Sequence, residues 1–137
     1  MAYMNQQKKA VIAAALKAVM PAGWKYSLSV QNKMTILLTF KSAPVDLIAM
    51  INAKNAKQAE RDGQVAYVND GYAQLNHFYL ESAFGADPEV LAVMEAAKKA
   101  LFCADYYNNS DIQTDYFDCA YYVSMHVGSY DKPFVVA

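Results

Sequence analysis

The chain has 137 residues, of which 55% are hydrophobic and 18% charged, with a formal net charge of −1. That is the size of one domain, able to bury about two-thirds of its unfolded surface, so folding needs neither disulfide nor metal. The composition is too apolar for disorder and too poor in basic residues for a generic nucleic-acid binder, and no apolar run approaches a membrane span.

The near-zero charge conceals an asymmetry. Residues 1–61 carry nine Lys and Arg against Asp46 and Glu60, a net of +7. Residues 62–137 carry Lys98, Lys99 and Lys132 against eleven acids, a net of −8. Either the two halves neutralise each other on packing, or one charged face meets a partner.

Residues 5–20 predict an amphipathic helix with Val11, Ile12, Ala15, Leu16 and Val19 on one stripe. Asn5 is placed to cap it, and Pro21 with Gly23 stops it. Residues 25–31 and 34–41 both alternate apolar and polar, and Asn32-Lys33 between them is a tight-turn pair, so 25–41 predicts a β-hairpin. Ser42 to Pro44 opens a second helix, roughly 44–60, which Asp62-Gly63 ends. Gln64–Asn69 predicts a short strand, Asp70-Gly71 a turn, and Tyr72–Asn76 its partner or continuation. Residues 77–86 are ambiguous. Asp87-Pro88-Glu89 combines a capping Asp, a Pro at the first helical position and an acid in the first turn, and starts a helix over 87–103. Residues 105–116 are a polar, aromatic loop. Phe117–Val127 alternates through Cys119, Tyr121, Val123, Met125 and Val127 as a long final strand, and Phe134–Val136 offers an edge strand. The expectation is a single α+β domain over 1–137. It has an antiparallel sheet of four to five strands with about three helices packed on its apolar face.

Cys103 and Cys119 form no disulfide framework. No signal peptide is recognisable, so reduced thiols and a cytoplasmic location are expected. The register of Cys119 puts it on the apolar face of its strand and His126 on the other, which speaks against a thiolate–imidazole pair. No phosphate-cradling glycine loop, nucleophile elbow or Cys-x-x-Cys is present, and no cofactor is implied. Asp111, Asp115 and Asp118 can hold a divalent cation, but their spacing matches no calcium loop, and Asp and Asn close turns and cap helices as readily.

Nine of the eighteen aromatics fall between Phe102 and Phe134, in a stretch whose acids outnumber its bases. Tyrosine serves sheet packing and interfaces alike. Asp111, Gln113, Asp115, Tyr116, Asp118, Tyr122 and Tyr130 are the candidate partner-binding residues, since tyrosines ringed by carboxylates suit a basic protein surface. Lys8, Lys9, Lys17, Lys25 and Lys33 are the candidates for a nucleic-acid contact.

The opening Met1–Ala10 and the run Ser110–Asp118 resemble a family of small proteins encoded by phages, plasmids and integrated elements of enterobacteria. The same pattern is similar to an accessory domain of large polyvalent mobile-element proteins. The likeness extends to Asp131–Phe134 and more weakly to Asn76–Tyr79, covering both ends and little of the middle. Where that family tends to carry histidines, this chain has Asn108 or Asn109 and Ala83. The resemblance implies a mobile-element setting, in which small proteins often bind and block a host complex such as a CRISPR effector. The expected function is therefore a non-enzymatic counter-defence inhibitor of anti-CRISPR type, partnered by a host protein complex. A nucleic-acid-binding accessory protein and a metal-dependent enzyme are the alternatives.

Overall fold

A computed structural model describes residues 3–104, 106 and 120–137. The first helix, α1 (Gln6–Val19), starts where the Asn5 side chain accepts the Lys8 amide at 2.8 Å. Ile12 and Leu16 of its stripe are fully buried, each removal from water stabilising by about 1.5–3 kcal/mol. Val11 and Val19 lie on the rim of the stripe and stay about half exposed. The hairpin follows as β1 (Lys25–Gln31) and β2 (Thr35–Ala43). Asn32 and Lys33 both take positive φ, 53° and 57°, and the Met34 amide donates to the Gln31 carbonyl at 3.1 Å. That backbone twist matches the twist of the strands it joins.

The second helix, α2 (Leu47–Asp62), begins later than its sequence expectation. Asp46 caps it, accepting the Ala49 amide, while Ser42 and Ala43 stay in β2, paired with the edge strand β5 (Val135–Val136). Gly63 ends α2 in the left-handed conformation, φ 66°. A short strand β3 (Ala73–Leu75), a 3-10 turn (His77–Tyr79) and a brief helix α3 (Leu80–Phe84) fill the ambiguous middle. Then α4 (Pro88–Leu101) starts as expected, with Asp87 accepting the Glu89 and Val90 amides. The last long strand is β4 (Tyr122–Val127). Its expected beginning at Phe117–Cys119, like most of the 105–116 loop, lies outside the described residues.

The sheet order is β1-β2-β4-β3, with β5 also on β2. β1–β2 and β3–β4 pair antiparallel, but β2–β4 and β2–β5 are parallel, so the sheet is mixed rather than antiparallel throughout. Alternation reports which face of a strand is buried, not the direction of its neighbour. β2 and β4 are separated by three helices, a connection long enough for a parallel crossover.

Gln64–Asn69 is not a strand. The Asn52 side chain accepts the Asn69 amide at 2.8 Å and donates to its carbonyl at 3.0 Å. Asn55 donates to the Tyr67 carbonyl. Two α2 amides thus occupy backbone groups that a ladder would otherwise use.

One hydrophobic cluster joins Ile36, Leu38, Phe40, Met125 and Val127 of the sheet to Ile12, Leu16, Ile51, Leu80, Met94 and Leu101 of the helices. α1 packs against α4, and α3 bridges α4 and α2. No described helix lies on the opposite sheet face.

Candidate interaction surface

The register fixes what that opposite face presents. In one row Ser27, Thr39, His126 and Gln74 lie side by side across four strands. The next holds Ser29, Leu37 and Ser124, and the third Gln31, Thr35 and Tyr122. Strand alternation puts all of these opposite the core residues Ile36, Leu38, Phe40 and Met125. The face is polar apart from the buried Leu37, with Lys41 as its charged member in β2. Tyr72 stands edge-on to His126, ring centroids 6.0 Å apart. Burial holds the His126 imidazole below its ordinary 6.5, so the ring is neutral near pH 7.

Tyr122 is 46% exposed on this face. Tyr130 is 94% exposed, held out by an ordered turn: the Ser129 and Lys132 backbones exchange hydrogen bonds of 2.9 and 3.2 Å, and the Ser129 hydroxyl donates to Asp131. Tyr122 begins β4 and Tyr130 follows the turn after its end, with a strand of ~17 Å between them at about 3.3 Å per residue. Asp111, Gln113, Asp115, Tyr116 and Asp118 lie outside the described residues.

Other aromatics of the same stretch continue a run of rings that leads from the exposed Phe78 to the buried Tyr121. Phe78, His77, Phe102, Tyr106 and Tyr121 form a continuous run with centroid separations of 4.3, 5.4, 4.6 and 5.1 Å. Tyr121 is fully buried, donates its hydroxyl to the Leu101 carbonyl at 2.7 Å and accepts the Ala104 amide at 3.3 Å. It ties the end of α4 to the entry of β4. Burial, then the nearby Lys98 ammonium, lowers the His77 pKa. Its Nδ1 is enclosed without a hydrogen-bond partner.

Sequence reasoning missed a second group around β3. Val65, Tyr67, Val68, Phe78 and Tyr79 are 65–98% exposed. All but Val68 border grooves on either side of Gln74, one against α2 at Lys54 and Gln58, the other beside Val123 and Ser124 of β4. The signal is Val65-Ala66-Tyr67-Val68, four apolar residues in a row after α2, within the segment expected as a short strand.

Contact between unlike charges is sparse among the described residues. Among the described residues the ion pair is Arg61–Asp62 at 3.6 Å, sequence neighbours open to solvent. The five lysines named for nucleic acid do not form one patch, although the Met4 amide bonds the Lys33 carbonyl at 2.7 Å and brings Lys33 toward Lys8 and Lys9 at the start of α1. Lys25 and Lys33 sit at opposite ends of the hairpin, and Lys8 and Lys17 lie nine residues apart on α1, ~13 Å at 1.5 Å per residue. Lys8 reaches over the Tyr121 ring, 5.7 Å from its centroid. Cys103 is exposed and unpaired, and Cys119 lies outside the described residues. Among the described residues no three His, Cys, Asp or Glu side chains converge on a metal site, and no helix is long and apolar enough to cross a membrane. Comparison with protein-family models, curated proteins and solved structures found no match for this chain.

Proposed function

We propose that this chain is a non-enzymatic binding protein of a mobile element that occupies a basic surface on a host protein complex, as a counter-defence inhibitor would. The observation that carries the reading is the exposure of Tyr122 at the start of β4, on a sheet face that no described helix covers, and of Tyr130 in the turn that follows β4. Tyrosine supplies large contact area with few rotors to freeze and a polar tip. The spacing of the pair fits within one standard interface of about 800 Å² per partner. The acidic C-terminal half supplies long-range steering toward a basic partner, and the resemblance of Ser110–Asp118 supplies the mobile-element setting. Asp111, Gln113, Asp115, Tyr116 and Asp118 join the contact in this reading.

The test is comparative capture from a host extract. Wild type and a Lys17→Ala control retain the same complex, whereas Tyr122→Ala/Tyr130→Ala and Asp111→Lys/Asp115→Lys lose it while melting within a few degrees of wild type. Identical capture by all four proteins excludes this surface. The lysines favour a nucleic-acid role only if wild type shifts plain single- or double-stranded nucleic acid with a steep salt dependence.

A further inference from the structure

We propose that β1 is the seam of a symmetric dimer, its outer edge pairing antiparallel with β1 of a second copy of this chain. β1 ends the sheet, and no described residue pairs with its outer edge over Lys25–Gln31. A row of open backbone N–H and C=O groups invites another strand, and proteins blunt such edges with short strands, prolines, bulges or charges. The other end of the sheet is blunted: β3 has three residues and the 64–69 segment beside it. β1 has seven residues, neither proline nor charge between Tyr26 and Val30, and its irregularity only at the Lys25 end.

The strand is also complementary to itself. A two-fold axis at Leu28 pairs all seven residues, setting Ser27 of each copy against Ser29 of the other, Tyr26 against Val30, and Lys25 against Gln31. No like charges meet. On one face the half-buried Tyr26, Leu28 and Val30, which pack on the core, meet their counterparts and close a shared apolar seam. On the other, serine meets serine, and the polar face of one sheet continues into the next. A partner of different sequence would need to supply this same alternation, whereas a second copy carries it in register. Tyr122 stands two strands from this edge, in the row Gln31, Thr35 and Tyr122, about 10 Å away at the usual strand spacing, and the variants at Ser27 and Ser29 leave both tyrosines unaltered.

Sedimentation equilibrium on the full chain at roughly 100 µM reads the claim, since weak specific dimers have micromolar constants. Wild type should approach twice the chain mass of 15.2 kDa. Ser27→Lys/Ser29→Lys faces lysine with lysine across the axis and should weaken association at least tenfold. Ser27→Glu/Ser29→Lys faces glutamate with lysine and should restore it. A monomeric wild type at that concentration, or equal association by both variants, overturns the proposal. Amide exchange on unaltered protein keeps the test independent of variant folding: protection of 26–30 must rise with concentration, and concentration-independent exchange there overturns it too.

Discussion

Single residues hold the frame in which the surface is displayed. The Tyr121 hydroxyl satisfies both the Leu101 carbonyl and the Ala104 amide in the interior. Tyr121→Phe leaves both unpaired, and chemical denaturation should show a loss of about 1–3 kcal/mol. Gly128 adopts φ 68°, and a Cβ there would overlap the Gly71 carbonyl oxygen and come within 2.7 Å of the Phe134 amide nitrogen. That amide donates to Gly71 at 2.7 Å, fastening the chain after β4 to the turn before β3. Gly128→Ala should therefore cost about 2–4 kcal/mol, from the left-handed conformation together with the clash, and release the Tyr130 turn. His77 and His126 act through protonation. Both titrate below their ordinary 6.5 in the fold, mainly because burial disfavours the imidazolium. The unfolded chain then binds protons more readily, so the stability these rings contribute is complete above 6.5 and lost as pH falls through 6.5 toward the folded values. The melting temperature should drop on acidification from about pH 7, and His77→Gln/His126→Gln should flatten that part of the curve. An unchanged slope in the double variant would assign the loss to other groups.

At the scale of elements, what was legible in the sequence was what local chemistry decides. Asn5, Asp87-Pro88 and Gly63 mark helix ends because backbone N–H groups need acceptors and a left-handed residue favours glycine. The hairpin was legible because alternation and the Asn32-Lys33 turn agree. Two things were not. The parallel pairing of β2 with β4 is set by how α2, α3 and α4 carry the chain back, which no run of ten residues records. The fate of Gln64–Asn69 depends on Asn52 and Asn55, a dozen or more residues earlier, whose amides compete with a ladder. Asn52→Ala should cost about 1–2 kcal/mol and speed exchange of the Asn69 amide selectively, leaving α2 amides protected. Of the candidate site, alternation alone placed Tyr122 on the open face and Tyr121 in the core. The exposed group at Val65, Tyr67, Phe78 and Tyr79 was illegible, because apolar residues outside the core look in sequence like those inside it.

Across the whole molecule, the nine cations of residues 1–61 and the eleven acids of 62–137 share one compact core, yet Arg61–Asp62 is the ion pair among the described residues. Opposite net charge in the two halves of the chain acts at a distance, over about a Debye length of 8–10 Å at physiological salt. In this account it sets the rate of encounter, and tyrosine burial sets the lifetime of the complex. Raising salt should slow association with the captured complex while leaving dissociation nearly constant, as stopped-flow or surface-binding kinetics can separate. The most direct measurement is side-chain footprinting of the chain free and bound to that complex. Tyr122 and Tyr130 should lose reactivity on binding while Tyr67 and Tyr79, exposed along the α2 groove, keep theirs. Protection of Tyr67 and Tyr79 with Tyr122 and Tyr130 unchanged would contradict the proposed surface.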